Sequence, residues 1–377
     1  MADNKDKKVL NVPALRFPEF TGEWKRHKLS EVCSFYSGGT PSSSKKEYYN
    51  GDIPFIRSGE LHKDNTELFI TEDGLNNSAA KMVEVGDLLL ALYGATSGDI
   101  AISKIKGAIN QAILCIRTKQ NKKFIESVWN KHVERLLQTY LQGGQGNLSA
   151  DIVKNIPFYF ASCAEQDKLA QFVSLLDERI ATQNKIIEKL QSLIKGIRHN
   201  VFQQLRKDVG FNSTIGDILS FEQPQRYIVS STEYSDDSSC TPVLTANKAF
   251  ILGYTTETDG IYSKGDCIIV DDFTLDCKYV SFPFKIKSSA IKILTAENKY
   301  ILRYIYECLK SLDISTEEHK RHYITEIQPS SCILPDDKTL TTIALMFESI
   351  TNKLENEQSL ALMLNKQKQY LLSKMFI

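Results

Sequence analysis

The chain has 377 residues, with 46 Lys and Arg against 46 Asp and Glu, so its formal net charge is zero. That length fits two to three domains, each long enough to bury a core. Neutrality argues against a protein that holds nucleic acid by bulk charge alone, since such domains usually have a pI above about 9, and no apolar run approaches the roughly 20 residues of a membrane span.

The start, Met1-Ala2-Asp3-Asn4-Lys5-Asp6, has no apolar signal-peptide core, so a cytoplasmic location is expected. Eight cysteines are scattered without a Cys-x-x-Cys pair, which suits reduced, buried thiols better than zinc or disulfide frameworks. Pro13 and Pro18 keep an arm over residues 1–23 from being helical. Ser37-Gly38-Gly39-Thr40-Pro41 reads as a loop. Residues 53–56, 87–93 and 108–116 read as strands by β-branched and aromatic content, and residues 124–141 have helical apolar spacing. Gln142-Gly143-Gly144-Gln145-Gly146-Asn147 is a second glycine loop, and strand-like 156–160 follows.

A long heptad helix is expected over residues 165–207. Leu169, Leu176, Gln183, Leu190 and Ile197 fall seven apart, Phe172, Ile186 and Leu193 sit three further on, and Ile180, Ile187, Ile194 and Val201 lie beside them. The same order then recurs. Ile215-Gly216-Asp217-Ile218 answers Leu29-Ser30-Glu31-Val32, Pro242-Val243-Leu244 answers Pro54-Phe55-Ile56, and Gly265-Asp266-Cys267-Ile268-Ile269 answers Gly86-Asp87-Leu88-Leu89-Leu90. Residues 300–312 answer the helix 124–141, and a second long helix over 337–376 carries Ile343, Ile350, Leu364 and Leu371 with Met346, Phe347, Leu354, Leu360 and Met375. So long a repeat fits a duplicated domain, not a solenoid. The expected fold is α+β. It comprises an arm (1–23), a first head (24–163), a helix (164–210), a second head (211–334) and a second helix (335–377). The helices should pair as an antiparallel coiled coil, with Gln183 and Glu357 as polar seam residues that fix register.

Several segments together resemble the specificity subunit of a type I restriction–modification enzyme. They are Leu15-Arg16-Phe17-Pro18-Glu19-Phe20-Thr21-Gly22-Glu23-Trp24, Lys28-Leu29-Ser30-Glu31-Val32, Gly38-Gly39-Thr40-Pro41, Gly51-Asp52-Ile53-Pro54-Phe55-Ile56, Val85-Gly86-Asp87-Leu88-Leu89, Gly98-Asp99-Ile100-Ala101, the stretch 143–148, Ile156-Pro157 and Glu165-Gln166. Thr241-Pro242-Val243-Leu244-Thr245-Ala246, His319-Lys320-Arg321 and Tyr323 extend the likeness through the second head, while Ala164 stands where that family often has proline. The resemblance implies two target-recognition domains, each reading half of a split site in double-stranded DNA. It also implies a helix pair that acts as a ruler and docks methyltransferase (modification) subunits, and a restriction/translocase subunit in the larger complex. A helix of about 38 residues spans roughly 57 Å, and half-sites read from one face lie about 34–36 Å apart.

Base edges are read by paired donors and acceptors. Arg57 and Ser58, Asn110 and Gln111, and Gln145 and Asn147 supply these in the first head. Thr245, Asn247, Lys248, Lys278 and Tyr279 supply them in the second. Lys320 and Arg321 suit phosphates, which position without specifying. Local basic clusters, such as Lys278, Lys285, Lys287 and Lys292, offer further charged faces.

No catalytic motif is convincing. Asp266, Asp276 and Lys278 only loosely suit a metal nuclease. Gly94-Ala95-Thr96-Ser97-Gly98 lacks the Gly-Lys-Ser/Thr of a phosphate loop. His319 and His322 lie in a basic run. A non-catalytic subunit without cofactor or metal is expected. The alternatives are a coiled-coil scaffold with two protein-binding heads and a free-standing nuclease.

Overall fold

A computed structural model describes residues 10–141, 147–246, 249–312 and 322–377. The chain forms two compact units, Met1–Thr182 with Ala361–Ile377, and Gln183–Leu360. Each takes in one head together with part of both long helices, which run over Cys163–Asp208 and Asp337–Met375.

In the first unit, one four-stranded sheet has the order Cys33–Ser37, Ile113–Thr118, Leu88–Ala91, Ile100–Ile102, with every neighbour antiparallel. A second has the order Phe69–Ile70, Tyr49–Ile56, Gly107–Ile109, Lys81–Val83, and within it Tyr49–Ile56 and Gly107–Ile109 run parallel. The expected single strand over 108–116 is therefore two strands in different sheets. Asn110 breaks it, because its Oδ1 accepts the Ala112 N–H at 3.1 Å and its carbonyl accepts from Ile113. Leu88 and Leu90 point to a core shared with the helix Lys122–Leu141, while Leu89 and Ala91 point to a second core under the other sheet. A strand buried on both faces reads as an unbroken apolar run, which accounts for Leu88-Leu89-Leu90.

The second unit repeats this plan. Ser220–Glu222, Ile291–Thr295, Cys267–Asp271 and Cys277–Val280 form the antiparallel sheet. Ile251–Thr255, Thr241–Leu244 and Lys285–Ile286 form the other, again with one parallel pair. Ile268 and Val270 face the core beneath the helix Lys299–Ser311, and Cys267 and Ile269 face the opposite one. The strand Lys81–Val83 is reduced here to a single bridge, Tyr262 with Phe284. The turns before the two central strands match as well: Gly86 has φ 89° and Gly265 φ 103°, a region costly for residues with a Cβ.

Each long helix starts on a side-chain cap. Ser162 Oγ accepts the Glu165 N–H at 3.4 Å, and Asp336 Oδ1 accepts those of Lys338 and Thr339. The inward residues of the first are Leu169, Val173, Leu176, Ile180, Gln183, Ile187, Leu190, Ile194, Ile197 and Val201, at alternating steps of four and three. Of the positions three past the heptad leaders, Ile186 and Leu193 face outward, 39% and 52% exposed. The fourth position after each leader is apolar at every turn, whereas the third is broken by Arg179 and Asn200. The second helix follows the same rhythm from Ile343 and Phe347 through Glu357 and Ala361 to Leu371 and Met375, and Leu360 is turned outward. Gln183 and Glu357 hold the same place in the two series.

Within the second unit the helices are antiparallel. Gln183 Nε2 donates to the Glu357 carbonyl at 3.0 Å and to its carboxylate, while further along Arg198 lies 5.9 Å from the Phe347 ring centre. Within the first unit, Asp177 pairs with Lys368 and with Lys123, and Leu169 and Val173 share a core with Met375 and Phe376. Buried ion pairs tie the arm and the second head to the long helices. Arg16 of the arm makes a bidentate pair with buried Glu165 at 2.7 Å, and buried Glu307 bridges Arg198 and Arg303. Among the described residues no group of His, Cys, Asp and Glu is arranged to hold a metal, and no helix is long and apolar enough to cross a membrane.

Candidate nucleic-acid interface

In the first head the parallel strands end side by side, with Ile56 opposite Ile109. Arg57 and Asn110-Gln111 therefore leave the sheet together at its carboxyl edge. Thr40 Oγ1 donates to Gln111 Oε1 at 2.6 Å, which brings the glycine loop to the same edge. That approach needs Gly38, because a Cβ there would meet the Ile109 carbonyl oxygen at 1.8 Å. The turn after Leu88–Ala91 joins them: the Leu92 N–H donates to Ala112 O at 2.8 Å, and Leu92 O accepts the Leu148 N–H at 3.0 Å. Exposed Asn147 thus lies next to this edge as well. Four loops, carrying Thr40, Arg57 with Ser58, Asn110 with Gln111, and Asn147, converge. Gln145 lies outside the described residues.

Arg57 is not a loose side chain. It donates to Glu60 through Nε and Nη2 at 3.2 and 3.0 Å and to Glu67 at 2.7 Å. Glu60 is buried and also accepts from the Arg57 N–H, Thr66 Oγ1 and the Glu67 N–H. Burial opposes charge on Glu60, but the hydrogen bonds, led by Arg57, outweigh it and hold the carboxyl down at about 2. Ser58 starts the single helical turn Ser58–Glu60 that this clamp closes. The guanidinium is thereby fixed in direction while remaining part-exposed at the edge.

The second head repeats the frame with other side chains. Leu244 lies opposite Ile286, so Thr245 and Lys287 leave its parallel pair together, and the Lys287 N–H donates to Leu244 O at 3.1 Å. The Asp272 N–H donates to Ala290 O at 2.7 Å, and Asp272 O accepts the His322 N–H at 2.8 Å, the same two bonds that hold Leu92. Asn247, Lys248, Lys320 and Arg321 lie outside the described residues. Lys278 and Tyr279 sit on the outer strand of the other sheet. The Tyr279 hydroxyl donates to Asp266 at 2.7 Å, and its ring lies against Tyr306 and Arg303 on the helix side, away from Thr245.

The lysine cluster is not one charged face. Lys285 is buried, bonded to Glu257 at 2.8 Å and to Asp259 O; Lys292 is buried against Asp272 at 3.5 Å and Gln223 at 3.0 Å. Lys287 alone of the three is exposed, and it stands where the first head has Asn110. Sequence reasoning counted it only as charge. Phe284 and Ile286 on either side of Lys285, just before it, were the available sign of a strand end.

Residues 21–192 match the family model described as type I restriction modification DNA specificity domain. The EcoR124I/EcoR124II specificity subunit of Escherichia coli is 42% identical over 143 residues, 36% of this chain and 35% of that protein. The MjaIX specificity subunit of Methanocaldococcus jannaschii is 28% identical over 182 residues, 45% of this chain and 42% of that protein. The matches thus span less than half the length of these curated relatives. The solved S subunit of a type I restriction–modification system from M. genitalium shares the fold, with a TM-score of 0.67 at 16% identity over 97% of this chain and 99% of that one. Residues 21–192 are thus similar to a type I restriction modification DNA specificity domain, and the chain shares the fold of a solved S subunit along nearly its whole length.

Proposed function

We propose that this chain is the DNA-recognition subunit of a type I restriction–modification complex. Each head reads one half of an asymmetric two-part site in double-stranded DNA. The carrying observation is the duplicated strand edge: one backbone frame presents Arg57, Asn110 and Gln111 in the first head, and Thr245 and Lys287 in the second. Equal frames with unequal donors and acceptors suit two different half-sites. The heads correspond to residues 24–163 and 211–334, the arm to 1–23, and the long helices to 164–210 and 335–377.

The helix pair sets the spacer and docks methyltransferase subunits. Helices of 46 and 39 residues are about 69 and 58 Å long, more than the rise of one duplex turn. Docking is supported by apolar side chains left outward on these helices, among them Leu175, Leu193, Leu345, Leu362 and Met363, since such residues often mark protein interfaces. Cleavage and methylation then belong to partner subunits, including a restriction/translocase subunit, and the work is done on cytoplasmic DNA.

Binding by the complex with its methyltransferase subunits tests this. Selection from random duplexes should yield a two-part motif, and log Kobs should fall linearly with log salt, by about 0.9 per neutralised phosphate. Lys287→Ala should weaken binding in one half only. A folded complex that binds no duplex would overturn the reading in favour of a protein-binding scaffold.

A further inference from the structure

We propose that each head carries one aromatic wedge, Tyr93 in the first and Phe273 in the second, that stacks on a base step of its half-site. This rests on the DNA-recognition reading and adds a contact that hydrogen-bond chemistry alone does not call for.

The two rings occupy one structural position. Each directly follows a residue clamped on both sides of its peptide: Leu92 between Ala112 and Leu148, and Asp272 between Ala290 and His322. The loops differ otherwise, Tyr93-Gly94-Ala95-Thr96-Ser97-Gly98 against Phe273-Thr274-Leu275-Asp276. Yet both set an aromatic ring there, 38% exposed for Tyr93 and 37% for Phe273. Over a third of each residue is left uncovered, apolar surface that a bound partner could still bury. The Tyr93 side chain makes no hydrogen bond or ring contact with any other described residue, and more than a third of the residue stays exposed.

The turns are also stiff. Ser97 Oγ donates to Leu92 O at 2.9 Å, and the Gly98 N–H donates to Ala91 O at 2.9 Å. In the second head, Asp271 Oδ1 accepts the N–H groups of Phe273 and Thr274 at 3.0 Å each, and the Leu275 N–H donates to Asp271 O. A ring on a preorganised turn loses little freedom on binding. Through Ala112 and Ala290 each ring is tied to the strand edge that carries Asn110 and Gln111, or Lys287. Rings beside hydrogen-bonding side chains suit bases, since every base has a face to stack on, and apolar wedges partly unstack a step.

The test uses the complex with its methyltransferase subunits and a duplex carrying the selected motif, with 2-aminopurine placed in turn through each half-site. The wild-type complex should change 2-aminopurine emission at one step per half-site. Tyr93→Ala should abolish the change in the first half and weaken binding about ten-fold; Tyr93→Phe should keep both. Phe273→Ala should do the same in the second half. Unchanged emission and affinity in a variant, with the motif still bound, overturns the wedge at that head. Loss of all duplex binding by the wild-type complex instead overturns the recognition reading itself.

Discussion

Arg57 shows how one side chain is held in place at the strand edge. Its guanidinium is aimed by two carboxylates, and the buried one, Glu60, stays charged because donors surround it. The folded carboxyl, at about 2, lies below its unfolded value near 4.3. Its contribution is therefore present above about pH 4.3 and lost as the pH falls toward 2. Two units correspond to about 3 kcal/mol. Acid titration of the wild type and Glu60→Gln, followed by circular dichroism, should show the variant less stable at pH 7 and the difference shrinking toward pH 2. Equal stability at both pH values would mean that the clamp does not hold the loop. Arg57 was legible in the sequence as a candidate donor to bases, though its tie to Glu60 was not. The second arm of the clamp was not, because Glu67 is brought back by the Thr66 and Phe55 contacts, not by chain proximity. Lys285 and Lys292 were misread as part of an exposed charged face for a related reason. Each fills a buried place on a strand whose acidic partner, Glu257 or Asp272, comes from another segment.

At the scale of elements, the long helices were legible to within two residues at their ends, since heptad periodicity and a capping residue are both local. The facing register was only partly so, because apolar residues stand at both the third and the fourth position after Leu169, Gln183 and Leu190. Only a second helix can choose between them, and it buries Ile194 while leaving Leu193 out, at 8% and 52% exposure. Ile194→Ala should cost about 2–5 kcal/mol by loss of burial and an unfilled cavity, whereas Leu193→Ala should stay within about 0.5 kcal/mol. Urea midpoints of the two variants check this, and equal midpoints would contradict the register. The polar seam residues were legible as such, and Gln183 bonds Glu357 through both its carbonyl and its carboxylate.

At the scale of the whole molecule, duplication was legible because its markers are short and local: a glycine before a buried strand and a proline-led parallel strand. The matched sheet orders and bridges of the two units extend the likeness to nearly every strand. The strand edges that carry the candidate residues were only partly legible. Parallel pairing sets Arg57 beside Asn110, 53 positions apart in the chain, and no sequence period announces it. Lys278 and Tyr279 were named for their chemistry, and that chemistry lies on a different sheet.

The central claim is that two unlike heads on paired helices select one split DNA site. Methylated bases should be mapped across the host genome by long-read sequencing, with and without this gene. The account predicts an asymmetric motif in two parts, separated by an unread spacer of about one duplex turn centre to centre, that vanishes when the gene is deleted. Unchanged methylation after deletion, with the methyltransferase subunits present and assembled with this chain in the parent strain, would contradict it.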